Sequence, residues 1–257
     1  MNMTPRVCFI VASTWNRLHL LEKCLEHYKQ SKYCDCDIYL YFQGEGLYAA
    51  LDCSIFSGIE RSGDLRGPFT PRYELMKKYG INYDYTIVID DDLFIRDMTD
   101  YDGTIRFIEK TPYVGCVCGA NSKIKPFVEL KNDINIEGGM VFPQRSIEAI
   151  CKYFADKERD YTFDPFWLLL WVKGFDLYKD WRTYAEHKPC QKVSGKLTGF
   201  NETLVEKTYI PIMPEWFNDP PVIWRHKRYE RDMPKLRDIK NDGLEERKRN
   251  MINLGRN

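Results

Sequence analysis

Three short apolar runs, separated by stretches of helical periodicity, constrain the fold of this chain more than any other feature. The first, "RVCFIVAS" (residues 6–13), is continuous and not alternating, as expected of a parallel strand buried on both faces. After "TWNR", the apolar residues Leu18, Leu21, Leu25 and Tyr28 recur at helical spacing and predict an amphipathic helix. "CDIYLYF" (36–42) predicts the second strand. "TPRYELMKKYG" (70–80) predicts a helix with Thr70 as N-cap, Pro71 at the first helical position and Gly80 as its stop. "YTIVI" (85–89) predicts a third strand. Strand, helix, strand, helix, strand is the signature of an open α/β sheet flanked by helices. No internal repeat or low-complexity segment interrupts it.

At 257 residues, 44% hydrophobic and 14% aromatic, the chain can bury a sizeable core. Lys plus Arg and Asp plus Glu both number 38, so the global balance gives no argument for a polyanionic partner and leaves only local basic patches to consider. The longest apolar run, "FWLLLWV" (Phe166 to Val172), falls far short of the roughly 20 residues of a membrane-spanning helix. "VCFIVA" lacks the flank and cleavage site of a signal peptide. A soluble, cytoplasmic protein is expected. The nine cysteines form no CxxC pair, and Cys8, Cys116, Cys118 and Cys151 sit in apolar segments, which predicts reduced, buried thiols. "HKPC" (His187 to Cys190) has no second pair at matching spacing, so a closed zinc site is not expected.

In open α/β sheets, ligands sit in the crevice beyond the carboxyl ends of the strands. "YTIVIDDDLFI" puts Asp90, Asp91 and Asp92 at such an end. Adjacent carboxylates raise one another's pKa unless a cation compensates. Mg2+ or Mn2+ would do so while keeping coordination positions for phosphate oxygens. A solvated turn capping a helix is the other use of such a run.

The triplet resembles the DXD element of GT-A-fold nucleotide-sugar glycosyltransferases, and its neighbours are similar, in order, to those of family-two members. Thr14, Asn16 and Arg17 resemble the turn that borders the nucleotide. "RGPFTPR" sets Gly67 five residues before Arg72, like the family's Gly-x-x-x-Ala-Arg element, with Pro71 in place of Ala. "NIEGGMVFPQRS" (135–146) resembles the glycine-containing strand that lines the sugar and acceptor pocket. "FDPFWLLLWVKGFDLY" resembles the motif of an Asp followed by a helix and a Gly, and His187 lies where the family often has a histidine. The match spans residues 6 to about 190. It departs at Gln43, where many members carry a base-contacting Asp, at Phe163, where Glu is common, and in the following helix, which lacks the usual Arg.

The resemblance implies a GT-A (Rossmann-like) fold with an open mixed sheet; a catalytic domain over 1–210 is expected, and the change in composition toward the end predicts a basic, aromatic extension over 211–257, helical or irregular, packed on it. It implies donor contacts from Thr14, Asn16, Arg17, Arg72, Asp90 and Asp91, and a sugar or acceptor pocket at Gly138 and Gly139. Asp90, Asp92 and His187 would hold Mn2+ or Mg2+, and a UDP-sugar is the favoured donor of this hexosyl- or pentosyltransferase. Asp164 matches the catalytic base; standing before Pro165, it also suits a helix N-cap.

Beyond residue 190 the match fades. "CQKVSGKLTGFNET" (190–203) reads as a loop able to close over substrate. The tail interleaves Trp216, Phe217, Trp224 and Tyr229 with Arg225, Lys227, Arg228 and Arg231, which suits a nucleic-acid surface and equally a helix packed on the domain. In scale the chain is similar to virus-encoded glycosyltransferases that decorate hydroxymethylated pyrimidines in phage DNA, which makes a DNA base the expected acceptor and a cell-surface or capsule glycan its competitor. A metal-dependent nucleotidyltransferase is the reading from another class, although "STWNR" is not a Gly-rich phosphate loop.

Overall fold

The computed structural model describes residues 4–14, 17–44, 51–63, 69–91, 93–94, 101–119, 128–129, 139–155, 166–180, 186–187 and 243–256. In chain order its elements are β1 (Val7–Thr14), α1 (Leu18–Gln30), β2 (Asp37–Gln43), β3 (Gly58–Ser62), α2 (Phe69–Lys78), β4 (Tyr85–Asp90), β5 (Leu93–Phe94), α3 (Tyr101–Lys110), β6 (Val114–Gly119), β7 (Val128–Glu129), β8 (Met140–Pro143), α4 (Gln144–Phe154), α5 (Phe166–Val172), β9 (Asp176–Asp180) and β10 (Glu186–His187). A last helix, α6, covers 243–253.

Eight strands form one sheet in the order β3-β2-β1-β4-β8-β6-β9-β7. The first four are mutually parallel, β8 runs antiparallel to both β4 and β6, β9 is parallel to β6, and β7 closes the edge antiparallel to β9. The sheet is therefore mixed. β5 and β10 pair separately as a two-stranded antiparallel ribbon.

Strand alternation feeds two cores. Phe9 and Val11 of β1, Leu40 and Phe42 of β2, and Ile87 and Ile89 of β4 pack under α1 and α3. Cys8, Ile10, Tyr39, Tyr41 and Val88 face the other way, under α2, α4 and α5. Both faces are buried, which explains the unbroken apolar runs of these strands.

The second helix differs from its expected limits. It starts at Phe69, so Thr70 lies inside it, and it ends at Lys78. Phe69 is fully buried and stacks on Tyr73 one turn later, with ring centroids 5.7 Å apart; packing carries the helix through the residue that propensity assigned as a cap. Gly80 opens a 3-10 turn. A Cβ there would stand 2.9 Å from Thr86 Oγ1, so the glycine lets the turn close on β4.

The C-terminal residues hold the end of α5. Arg247 donates to the carbonyls of Trp171 and Phe175, Asn250 to Val172 and Arg256 to Gly174, filling acceptors that a helix terminus leaves open. The expected boundary at residue 210 lies outside the described residues, as does the 190–203 loop. Among the described residues no helix is long and apolar enough to cross a membrane.

Candidate functional site

Strand order reverses beside β1: β2 and β3 continue to one side and β4 lies on the other. A crevice opens at such a switch point, outside the carboxyl ends of the strands. Register places Ala12 opposite Asp90 and Thr14 opposite Gln43, which in turn faces Ser62. The last residues of four parallel strands thus share one rim. Thr14 is half-buried there, and Gln43 is buried.

The acidic run divides its labour. Asp90 is the last residue of β4 and Asp91 begins the turn. Asp91 is 2% exposed. Its Oδ2 accepts from Ser13 Oγ at 2.6 Å and from Arg17 Nε at 2.9 Å, while Arg17 Nη2 meets Oδ1. The carboxylate ties the end of β1 and the start of α1 to the end of β4. Asp90 is more open, and its Oδ1 pairs with Nη2 of Arg72 from α2. The four described residues Asp90, Asp91, Arg17 and Arg72, distant in sequence, are brought together.

The β5–β10 ribbon sets His187 opposite Leu93, so the backbone of His187 runs alongside the strand that follows the acidic turn. Asn16, Asp92, Gly138, Asp164, Arg225, Lys227, Arg228 and Arg231 lie outside the described residues. Gly139 is buried immediately before β8, and a Cβ there would stand 2.5 Å from the Tyr101 hydroxyl. That close approach is made by a tyrosine of α3. The hydroxyl is wholly buried, makes no hydrogen bond among the described residues, and has its pKa raised by burial.

A divalent cation wants hard oxygen donors, and among the described residues no group of three His, Cys, Asp or Glu side chains could hold one. Asp91 does not fit such an ion, since both its oxygens are engaged. Asp90 fits with Oδ2, which makes no hydrogen bond among the described residues. Sequence reasoning missed Ser13 and Tyr101. A serine near the end of an otherwise apolar buried strand was the available signal for the first; nothing local marked the second.

These features, an open mixed sheet with an acidic turn at its switch point, define the fold class before any comparison. The sequence matches no known protein-family model and no curated protein. Among solved structures, the fold is similar to the mannosyltransferase PcManGT from Pyrobaculum calidifontis in complex with GDP-Man and Mn2+, at 14% identity and a TM-score of 0.55 over 73% of this chain and 58% of that one. It is also similar to residues 1–349 of S. aureus TarS in complex with UDP-GlcNAc, at 11% identity and a TM-score of 0.50 over 73% of this chain and 62% of that one. A looser likeness, with a TM-score of 0.45 and 14% identity over 71% of this chain and 90% of that one, joins it to 4-diphosphocytidyl-2C-methyl-D-erythritolsynthase from Anaerococcus prevotii. The chain spans about three fifths of the length of the first two. Its fold is GT-A.

Proposed function

We propose that this protein is a glycosyltransferase that moves a sugar from a nucleotide-sugar donor to a hydroxyl acceptor. The acidic turn at the switch point carries the reading: Asp90 and Asp91 meet Arg17 and Arg72 where β1 and β4 diverge. The GDP-Man and UDP-GlcNAc complexes of the two similar folds support a nucleotide-sugar donor.

Thr14, Asn16, Arg17 and Arg72 border the nucleotide, and guanidinium groups suit diphosphate oxygens. A UDP-sugar is the proposed donor. Mn2+ or Mg2+, held by Asp90 and Asp92 with His187, would supply charge neutralisation to the diphosphate leaving group. Asp164 takes the proton of the acceptor hydroxyl as the new bond forms, a contribution of about a hundredfold or more. Gly138 and Gly139 border the sugar and acceptor pocket. A 5-hydroxymethylpyrimidine in DNA suits the basic and aromatic residues 216–231 as acceptor, with the base drawn out of the stack to reach the site. A glycan suits the same core.

The test incubates the full chain with Mn2+ and a panel of nucleotide sugars, alone, with DNA containing 5-hydroxymethylcytosine or 5-hydroxymethyluracil, and with glycan acceptors. Release of nucleoside diphosphate from one donor, lost in Asp92→Ala, supports glycosyl transfer, and a sugar mass on a nucleoside or a glycan names the acceptor. Pyrophosphate released from a nucleoside triphosphate, with no diphosphate from any sugar donor, assigns a nucleotidyltransferase instead.

A further inference from the structure

Tyr101, the first residue of α3, is fully buried. Its ring packs edge-on against Phe9 and Tyr33, with centroids 5.8 Å and 5.2 Å away, and its backbone N–H donates to the Tyr33 hydroxyl at 2.7 Å. A phenylalanine would keep every one of these contacts. The hydroxyl itself makes no hydrogen bond among the described residues, and a buried hydroxyl without a partner costs stability. Packing therefore accounts for the ring and not for its oxygen.

The oxygen lies under the rim of the candidate site. The Cβ position of Gly139 is 2.5 Å from it, and Cγ2 of Ile89, the residue before Asp90, stands 3.5 Å from the same point. The ladders of β8 to β4 and β6 both run to Met140, so Gly139 is where the chain enters the sheet beside the acidic turn. The other buried side-chain oxygen without a hydrogen bond among the described residues, Ser146 Oγ, lies past the opposite end of β8. With no side chain on Gly139, nothing separates its backbone from the phenol, which can donate or accept. A group unpaired in the free protein and paired in the bound one returns its desolvation penalty as affinity.

We propose that Tyr101 is a positioning residue of the sugar subsite: its hydroxyl stays unpaired in the free protein and pairs with the Gly139 backbone when the donor sugar settles on that segment. The inference rests on the glycosyl-transfer reading and adds to it the group that fixes the pocket wall. Stability forgone in the free protein is returned as affinity for the sugar moiety, and the nucleotide moiety is untouched by it.

The test compares the full chain as wild type, Tyr101→Phe and Tyr33→Phe by thermal denaturation and by calorimetric titration, in the presence of Mn2+, with a panel of UDP-, GDP- and dTDP-sugars and with UDP, GDP and dTDP. Tyr101→Phe is expected to melt at or above the wild-type temperature, to bind the preferred nucleotide sugar roughly fivefold to tenfold more weakly, and to bind its nucleoside diphosphate as wild type does. Tyr33→Phe, which removes a hydroxyl already paired with the Tyr101 N–H, is expected to melt lower with both affinities unchanged. Equal nucleotide-sugar affinity of wild type and Tyr101→Phe, or an equal loss for the sugar-free diphosphate, overturns the inference and leaves the glycosyltransferase reading standing. A lower melting temperature for Tyr101→Phe shows the hydroxyl paired in the free protein and overturns it as well. Wild type that binds no member of the panel overturns the inference together with the nucleotide-sugar reading.

Discussion

Ser13 and Asp91 stand 78 positions apart in the chain, and the serine hydroxyl donates to the carboxylate at 2.6 Å. With Arg17 on the same group, this contact fastens together the two strand ends that border the crevice. Asp91→Ala leaves a largely buried guanidinium and a buried hydroxyl without their acceptor, and is expected to cost about 3 kcal/mol. Asp91→Asn keeps one oxygen for Ser13 and should cost less. Urea unfolding followed by tryptophan fluorescence measures both; a loss below about 1 kcal/mol for the alanine variant would show that the tie contributes little.

Gly139 and Tyr101 make a second paired test. A methyl group at 139 collides with a hydroxyl that is wholly buried, and such overpacking costs about 1–3 kcal/mol. Tyr101→Phe removes a hydroxyl that makes no hydrogen bond among the described residues, so alone it should be close to neutral or slightly stabilising. Combined with Gly139→Ala it should recover most of the loss. Thermal denaturation of the four proteins decides the matter, and a double variant no better than Gly139→Ala would place the glycine's role elsewhere.

How much was legible depended on where each signal resides. β1, β2 and β4 fall within a residue of their sequence limits, because a strand buried on both faces is an unbroken apolar run. α3 escaped notice: Gly103 and Thr104 sit among its charged residues and blur the period of Tyr101, Ile105 and Ile108. The single glycine-containing strand expected over 135–146 proved to hold a boundary, with β8 ending at Pro143 and α4 starting at Gln144. Pro143, in extended conformation, serves both as the last strand residue and as the helix cap, a junction that composition cannot show. The acidic triplet declared a site by standing after a strand. Which carboxylate turns inward did not, because that choice belongs to Ser13 and Arg17, 78 and 74 positions away.

The cysteines link burial to alkaline stability. Burial pushes the Cys8 thiol up to about 12 and Cys151 up to about 11, and it raises Cys116 as well. Since the thiolate is the reactive form, iodoacetamide at about pH 8 should modify exposed Cys34 well before Cys8 or Cys116. A raised folded-state pKa contributes stability fully below the unfolded value, here about 9, and that contribution is lost as pH rises toward 12. Cys8→Ala should therefore show a flatter fall in urea midpoint than wild type between about pH 9 and pH 11. Identical slopes would remove Cys8 as a source of the alkaline loss.

Asp176, the first residue of β9, is where the α5–β9 junction meets Arg247 and Arg256. Arg247 Nη2 lies 3.2 Å and Arg256 Nη2 2.6 Å from its carboxylate, which is 10% exposed, and the same arginines donate to the carbonyls of Trp171 at the end of α5 and of Gly174 and Phe175 in the turn that follows. Asp176→Ala leaves two guanidinium groups facing each other across the missing charge, a loss of about 3 kcal/mol. Lys248→Ala, in contrast, breaks an exposed pair with Glu245 and should leave stability almost unchanged. Hydrogen exchange in Asp176→Ala should show the amides of α6 losing protection first, followed by those at the end of α5, because the segment that supplies the caps is the one released. If Asp176→Ala proves as stable as Lys248→Ala, with α6 protection intact, the docking of the C-terminal helix rests on contacts other than the Asp176 ion pairs, such as Gly243 against Val172 and the cation–π contact of Arg247 over Trp171.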